Sequence, residues 1–361
     1  MKDNYNIVIV GGGPAGLSAA LEASKYTDKI LLIDENLKAG GQLIKQTHKF
    51  FGSKNHHASE RGINIAQELI KSIDSDKVEF LSGVSASGFY KPHTLLLEDK
   101  ERLYRVNSDK FIFATGASEN IIPFVNNDLP GVYGAGAVQT LMNLYGVVPG
   151  KRVLMIGAGN IGLIVSYQLF QCGVEIAGVV EASPYIGGYS VHAAKLRRMQ
   201  IPIYTNHSIK AAYGDECVEK AVIAEVDSRW NIIKNTEKEF DVDTICLAVG
   251  LTPSTELLSQ AGCDMVYVRE LCGYVPKHDK FMETSISGVF VAGDASGIEE
   301  ASAAMLEGRM AGLKACYDIE KFNRSEWINS ISHIEFELKS LRSGPHGEKA
   351  VNGKKKIDIQ R

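Results

Sequence analysis

The sequence predicts an α/β fold built on two Rossmann-like βαβ units, and three observations point to it. The chain has 361 residues, 45% apolar and 23% charged, enough for a sizeable core and for two domains. A short β-branched run, a glycine turn, a helical pattern and a second apolar run ending in an acid occur twice along it. Glycine is in excess, 35 of 361 residues against a usual share of roughly 7%, and the excess is concentrated in those turns and their counterparts downstream.

The first unit opens with Ile7-Val-Ile-Val10, a β-branched strand that breaks into Gly11-Gly-Gly13-Pro14-Ala15-Gly16. A helical pattern follows from Leu17 to Tyr26, then a strand from Ile30 to Ile33 that ends at Asp34-Glu35. The second unit repeats the order: Val153 to Ile156, Gly157-Ala-Gly159-Asn160-Ile161-Gly162, a helix to about Phe170, and a strand from Glu175 to Val180 ending at Glu181. From first glycine to acid the spacing is 23 residues in one copy and 24 in the other. Each copy is also followed by a glycine pair, Gly40-Gly41 and Gly187-Gly188.

Strand before, helix after and an acid about twenty residues on is the context that makes G-x-G-x-x-G a dinucleotide fingerprint. Gly11 and Gly157 permit the tight turn, and Gly13 and Gly159 let backbone N–H groups approach a pyrophosphate. Gly16 and Gly162 let helix pack on strand. The phosphate sits at the helix N-terminus, where unpaired N–H groups and the helix dipole favour negative charge. Asp34 and Glu181 can each hold the ribose hydroxyls of an adenosine. A carboxylate at that place repels a 2′-phosphate, so Glu181 predicts NAD(H) in preference to NADP(H).

A third turn lies near the end of the core. Ser287-Gly-Val-Phe-Val-Ala292 reads as a strand, Gly293-Asp294-Ala295 as a turn, and Glu299 to Ala315 as a helix. Asp294 reads either as a helix cap or as a carboxylate that holds a ribitol hydroxyl, with the helix N-terminus aimed at a flavin ring.

Composition excludes several classes of function. With 39 basic and 43 acidic residues the net charge is −4, far from the cationic footprint of a nucleic-acid binder. The six cysteines, Cys172, Cys217, Cys246, Cys263, Cys272 and Cys316, form no C-x-x-C pair. They read as small buried apolar residues in a reducing cytosol, with no metal or dithiol motif. Met1 to Asn6 has no basic n-region and no run approaches a membrane span, so neither a signal peptide nor a spanning helix is expected.

Taken together, the Gly11–Gly16 turn, Gly40-Gly41-Gln42, Ala114-Thr115-Gly116, the Gly157–Gly162 turn, Ala248-Val-Gly250 and Gly293-Asp294 resemble the pyridine nucleotide-disulfide oxidoreductases. The resemblance covers residues 7 to about 315. It implies FAD on the first unit, NAD(P)H on the second, and a nucleotide domain inserted into a discontinuous flavin domain of three-layer ββα type. The boundaries so implied are 1–120 plus 282–321 for the FAD domain, 145–250 for the NAD domain, 251–281 as a connecting segment and 322–361 as a C-terminal extension.

One departure is chemical. At the place after Gly41 where disulfide reductases of the family carry their cysteine pair stands Gln42-Leu-Ile-Lys-Gln-Thr-His48, and the inserted domain has no pair either. Thiol–disulfide exchange needs a thiolate poised against the flavin, so a disulfide reductase is excluded. Gly40-Gly-Gln-Leu43 with His48, Leu129-Pro-Gly-Val-Tyr133 and Glu181-Ala-Ser-Pro184 are similar to the α-type subunits of heteromeric sarcosine, opine and proline or hydroxyproline dehydrogenases and of hydrogen cyanide synthase. The partner implied by that resemblance is a second flavoprotein, one that oxidises an amine. Alternatives are a stand-alone NADH:acceptor reductase serving a small iron–sulfur protein, quinone or dye, a homo-oligomer among its forms, and a nucleotide-binding scaffold that does no chemistry.

His48 reads either as a proton donor near a flavin ring or as a packing residue. His56 and His57, in a polar loop, read as solvent-facing. Tyr185, Tyr189 and His192 either line a nicotinamide entry or pack in the core. Phe50-Phe-Gly52-Ser-Lys-Asn-His56 fits the front of a flavin monooxygenase fingerprint, but it lies 107 residues ahead of the second turn and is coincidental. The tail from Phe322, with Ser340-Leu-Arg-Ser-Gly-Pro345 and Lys354-Lys-Lys356, reads as a flexible solvated terminus, or as a docking segment for a partner.

Overall fold

The computed structural model describes residues 4–90, 93–319 and 323–359. The chain forms two compact units, Met1–Ser118 with Leu251–Arg361, and Glu119–Gly250 inserted between those segments.

The first unit begins with β1 (Tyr5–Val10), α1 (Pro14–Ala23), β2 (Ile30–Asp34), α2 (Gly62–Lys71), β3 (Val78–Ser82), β4 (Ser85–Tyr90), β5 (Thr94–Glu98) and β6 (Leu103–Phe113). The short β7 (Ala117–Glu119) leads into the insertion. There follow β8 (Val132–Gly134), α3 (Ala135–Tyr145), β9 (Arg152–Ile156), α4 (Asn160–Gln171), β10 (Glu175–Glu181), α5 (Ser190–Arg198), β11 (Ile203–Thr205), β12 (His207–Tyr213), β13 (Lys220–Glu225), β14 (Lys238–Asp241) and β15 (Thr244–Leu247). The chain returns through β16 (Leu251–Pro253) to α6 (Glu256–Gln260), β17 (Met265–Val268), β18 (Gly273–Pro276), β19 (Val289–Val291), α7 (Ala301–Asp318), α8 (Arg324–Leu341) and α9 (Pro345–Lys354).

In the first unit the sheet order is β3-β2-β1-β6-β5-β4, with β19 added alongside β6. The strands β3, β2, β1, β6 and β19 are parallel, while β4, β5 and the start of β6 form an antiparallel meander. Ile7 to Val10 and Ile30 to Ile33 are buried without alternation, as strands covered on both faces must be. In the second unit the order β11-β10-β9-β15-β8 is parallel throughout. Its strands sort their side chains by parity. Val153 and Met155 pack among α3, α4 and α5, whereas Leu154 and Ile156 pack against the antiparallel β12-β13-β14 sheet.

Helix α7 lies against α1 over most of its length, because Gly308 and Gly312 have no side chain. A Cβ at Gly308 would strike the Ala15 carbonyl oxygen, and one at Gly312 would come within 2.6 Å of that of Ala19.

Two segments differ from expectation. Residues 251–281, expected as a connector, belong to the first unit, with Leu258, Ala261 and Cys263 in its core. Residues 323–359, expected as a flexible tail, are ordered helices of the same unit. Asn323 caps α8 by accepting from Glu326 N–H at 2.9 Å. Trp327, Ile331, Ile334 and Leu338 recur at helical spacing and are buried in the same core, with Trp327 stacked on Tyr317 at 4.6 Å. The boundary placed between residues 321 and 322 falls outside the described residues, while residues 121–144 group with the insertion. None of the described helices is long and apolar enough to cross a membrane.

Candidate functional site

The two glycine turns repeat one set of backbone bonds. Gly11 N–H donates to Ile33 O at 2.8 Å, and Gly157 N–H to Val180 O at 2.7 Å. Both glycines are left-handed, at φ 105° and 107°. A Cβ on either would strike the carbonyl oxygen of Ala114 or Ala248, and a Cβ on Gly16 or Gly162 that of Gly11 or Gly157. Side chains are excluded there by backbone, at the third position so that helix and strand can touch.

At the middle position the reason is different. The nearest atom to a Cβ on Gly13 is 3.8 Å away, and nothing lies within 4 Å of one on Gly159. These two residues are the N-caps of α1 and α4, and no side chain caps either helix. Room above the glycine and uncapped N–H groups are what a pyrophosphate needs. Pro14 at the first position of α1 has its φ preset and no N–H to leave unpaired.

The acids are anchored identically. Asp34 accepts from Gly12 N–H at 2.6 Å through Oδ2 and from Asn36 N–H at 2.8 Å through Oδ1. Glu181 accepts from Ala158 N–H at 2.9 Å through Oε2 and from Ser183 N–H at 2.9 Å through Oε1. One difference separates the copies: a Cβ at Gly12 would lie 2.8 Å from Asp34 Oδ2, whereas the longer Glu181 tolerates the methyl of Ala158. Asp34 is buried and Glu181 half-buried, while Glu35, also expected to bind, is exposed and stands outside this arrangement.

The glycine pairs complete each shelf. Gly40 N–H donates to Gly12 O at 2.7 Å and Gly188 N–H to Ala158 O at 2.9 Å. Gly41, at φ 51°, lies over Gly13, and Gln42 beyond it is exposed. In the second unit Asn160 Oδ1 accepts from Tyr189 N–H at 2.7 Å, so its side chain holds this segment, and Ile161 is 39% exposed at the start of α4. At the ends of the paired strands, Thr115 Oγ1 donates to Ser254 O at 2.6 Å, and Gly116 and Gly250 are left-handed at φ 73° and 111°.

The third turn reaches the first site through the sheet. Ala292 N–H donates to Phe113 O at 3.0 Å, and a Cβ on Gly293 would lie 3.0 Å from that of Ala15. Gly293, Asp294 and the buried Ala295 therefore stand beside the first glycine turn. Burial pushes the Asp294 carboxyl up to about 6; Glu307 and Glu299 add to the rise, and a backbone N–H of Glu299 opposes it. The open shelf, the anchored Asp34 and this carboxyl fit a dinucleotide with a polyol arm such as FAD.

Among the remaining expected residues, His48 is half-buried and its ring stacks near Phe50 at 6.1 Å. His56 corrects the solvent-facing expectation. It is 8% exposed, its Nδ1 lies 2.9 Å from Ser53 Oγ, and its Nε2 has no hydrogen-bond partner. The loop folds back under α8, placing His56 Nε2 4.0 Å from Glu337. His57 pairs with Glu60 at 3.1 Å and, with Glu68, forms an acidic surface cluster. Tyr185 is exposed and His192 buried, with a pKa lowered by burial and by Lys195. All six cysteines are free, but only Cys246, Cys263 and Cys316 are buried; Cys172 and Cys217 are exposed, which corrects the uniform expectation.

Sequence reasoning missed Glu307. Buried in α7, it accepts from Gly293 N–H at 3.0 Å and Ser296 Oγ at 2.7 Å, so it pins the third turn from below. A lone acid in an alanine- and glycine-rich helix was the available signal.

Comparison with known proteins agrees with this geometry. The profile of the family described as "Pyridine nucleotide-disulphide oxidoreductase" matches residues 5–308. One of the two kinds of opine oxidase chain of Agrobacterium tumefaciens, the A component, is 26% identical over 95% of this chain and 72% of its own. The HcnB component of hydrogen cyanide synthase from Pseudomonas aeruginosa is 26% identical over 94% of this chain and 78% of its own. Among solved structures, L-proline dehydrogenase from P. horikoshii superimposes with a TM-score of 0.69 at 24% identity, over 93% of this chain and 59% of that one. This chain therefore spans less than two thirds of the proline dehydrogenase chain.

Proposed function

The chain belongs to the pyridine nucleotide-disulphide oxidoreductase family, and from that premise we propose that it is an oxidoreductase exchanging a hydride between NAD(H) on the second unit and FAD on the first, without a redox disulfide. The observation that supports this most is the duplicated, acid-anchored glycine turn, with a third turn bearing Asp294 on the first copy alone. A bound flavin supplies a hydride acceptor and donor, and a nicotinamide supplies the other.

The roles follow from chemistry. Gly11, Gly13, Pro14, Ala15, Gly16 and Gly41 form the FAD pyrophosphate shelf, Asp34 takes the ribose, and Thr115, Gly116, Gly293, Asp294 and Ala295 line the flavin arm. Gly157, Gly159, Asn160, Ile161, Gly162 and Gly250 serve NAD(H), whose ribose hydroxyls Glu181 takes, and its charge disfavours a 2′-phosphate. His48 is the proposed proton partner at the flavin. Free thiols throughout suit a reducing cytosol.

The opine oxidase and hydrogen cyanide synthase relatives are, by name, subunits of larger enzymes. We place this chain beside a second flavoprotein that oxidises an amine, with hydride exchange here coupled to amine or imino-acid oxidation there. Anaerobic titration of the purified protein with NADH, then NADPH, tests the reading. Bleaching of flavin absorbance by NADH is expected. A colourless protein, or bleaching by NADPH in preference, overturns the assignment of the first site or of Glu181. Isolation from its native cells without a second flavoprotein would remove the partner.

A further inference from the structure

The strongest unassigned feature is a cluster of charge beneath the third turn, built from segments far apart in sequence. Glu307, 2% exposed, holds Gly293 N–H and Ser296 Oγ. Both of the cations that reach it come from the C-terminal helices. Arg342, at the end of α8, donates to Glu307 at 2.6 Å and to both oxygens of Glu299 at 2.7 and 2.8 Å. Lys354, the last residue of α9, lies 2.8 Å from Glu307 and donates to Ser296 O at 3.0 Å and Ser296 Oγ at 2.6 Å. The side chains of Glu299, Arg342 and Lys354 are also largely buried.

The helices are locked in place. Gly353 lets α9 sit against Leu271, where a Cβ would lie 2.6 Å from its side chain. Ile357 joins the apolar cluster of Val268, Leu271 and Val275, and His278 exchanges backbone bonds with Ile357 and Ile359.

The logic of the cluster is a chain of requirements. The turn that carries Asp294 needs an acceptor below it, and a carboxylate serves. That carboxylate, with Glu299 and Asp294, places three acids together out of water, which is costly unless cations match them. Arg342 and Lys354 are the match. Although burial alone would raise it, Lys354 and Arg342 hold the Glu307 carboxyl well below the usual carboxylate range.

We propose that the α8–α9 hairpin is part of the flavin site, with Arg342 and Lys354 as positioning residues that keep Glu307 ionised under the Gly293–Ser296 turn and set the charge that a bound flavin meets there. This rests on the reading that places a flavin at Asp294. The C-terminal helices then have a role in the redox chemistry of the first unit, beyond covering its core. Reduction adds negative charge to a flavin, so a nearby cation raises its potential and a nearby anion lowers it.

The experiment measures the midpoint potential and the affinity of bound flavin in purified full-length variants, with circular dichroism as the check on folding. Lys354→Met is expected to move the potential to more negative values and to weaken flavin binding about tenfold or more, and Lys354→Arg to restore both. Glu299→Gln, which removes a negative charge and keeps an acceptor, is expected to move the potential the other way; it decides the matter if Lys354→Met does not fold. Lys355→Met, an exposed neighbour, leaves the potential where it was. Folded Lys354→Met and Glu299→Gln proteins with the wild-type potential and affinity overturn the proposal. A wild-type chain that takes up no flavin overturns the reading of the site and this proposal with it.

Discussion

The two units use one backbone device to different ends. In the second, everything that shapes the turn is local: Gly157, Ala158, Glu181 and Gly188 come from a single βαβ stretch, and Glu181 stays half-buried. In the first, the same device is closed in by distant segments. Asp34 is buried, β19 brings Gly293 against Ala15, α7 lies on α1 through Gly308 and Gly312, and α8 and α9 supply Arg342 and Lys354. A site enclosed by tertiary packing suits a resident group, and one made from a local turn suits a ligand that comes and goes. The duplication is therefore of geometry, and the division of labour comes from what is packed around each copy.

The sharpest way to break this comparison is at the first glycines. Gly11→Ala and Gly157→Ala each force a side chain into a left-handed residue facing a carbonyl oxygen, at about 1–3 kcal/mol for the backbone alone. Gly11→Ala should yield protein without flavin absorbance, whereas Gly157→Ala should stay yellow and cease to bleach with NADH. If either variant lost both properties, the two sites would not be independent.

Next in size are the acids. Asp34→Ala leaves two backbone N–H groups without their acceptor in a buried setting, about 1–3 kcal/mol in thermal or denaturant unfolding. Glu181→Ala should cost less, because water reaches that site, and a larger loss from Glu181 would refute the contrast in enclosure.

The pH dependence separates the units further, through two buried groups of the first that act in opposite directions. Burial, with Lys354 adding to it, lowers His278 to about 4. Its pKa is higher in the unfolded chain, so stability is lost as pH falls from about 6.5 toward 4. Asp294, raised to about 6, does the reverse: it is protonated earlier in the folded state, and stability is gained as pH falls through 6. Asp294→Asn should therefore raise the melting temperature of the flavin-free protein near pH 7 and make it more acid-sensitive near pH 5. His278→Gln should make it less acid-sensitive. Identical pH profiles for these variants and the parent protein would remove the assigned titrations.

The smallest expected effect concerns cofactor choice. Glu181→Ser should reduce the preference for NADH over NADPH, read as the ratio of kcat/KM values, by about tenfold. Asp34→Ser should leave that ratio unchanged, since its carboxylate serves the other unit.

Much of the site was legible because its requirements are local. A left-handed turn with a carbonyl facing it admits only glycine, so Gly11, Gly16, Gly157 and Gly162 announce themselves, and an acid at the end of the next strand must face the same turn. Other residues were not legible. His56 lies in a stretch of turn formers, and nothing near it in sequence says that α8 will cover it. The tail shows lysines and a Gly-Pro pair, while the stripe of Trp327, Ile331, Ile334 and Leu338 that buries it is diluted by polar neighbours.

The sequence by itself determined that this chain makes two dinucleotide turns with an acid at each and has no cysteine pair to pass electrons through, since steric exclusion and spacing act within some twenty residues. Only the tertiary structure decided which copy is enclosed and which cations answer its acids. Arg342 and Lys354 reach Glu307 because α7, α8 and α9 pack as they do. Burial strengthens charge interactions by excluding water, and exclusion of water belongs to the assembled core, which no short stretch of sequence displays.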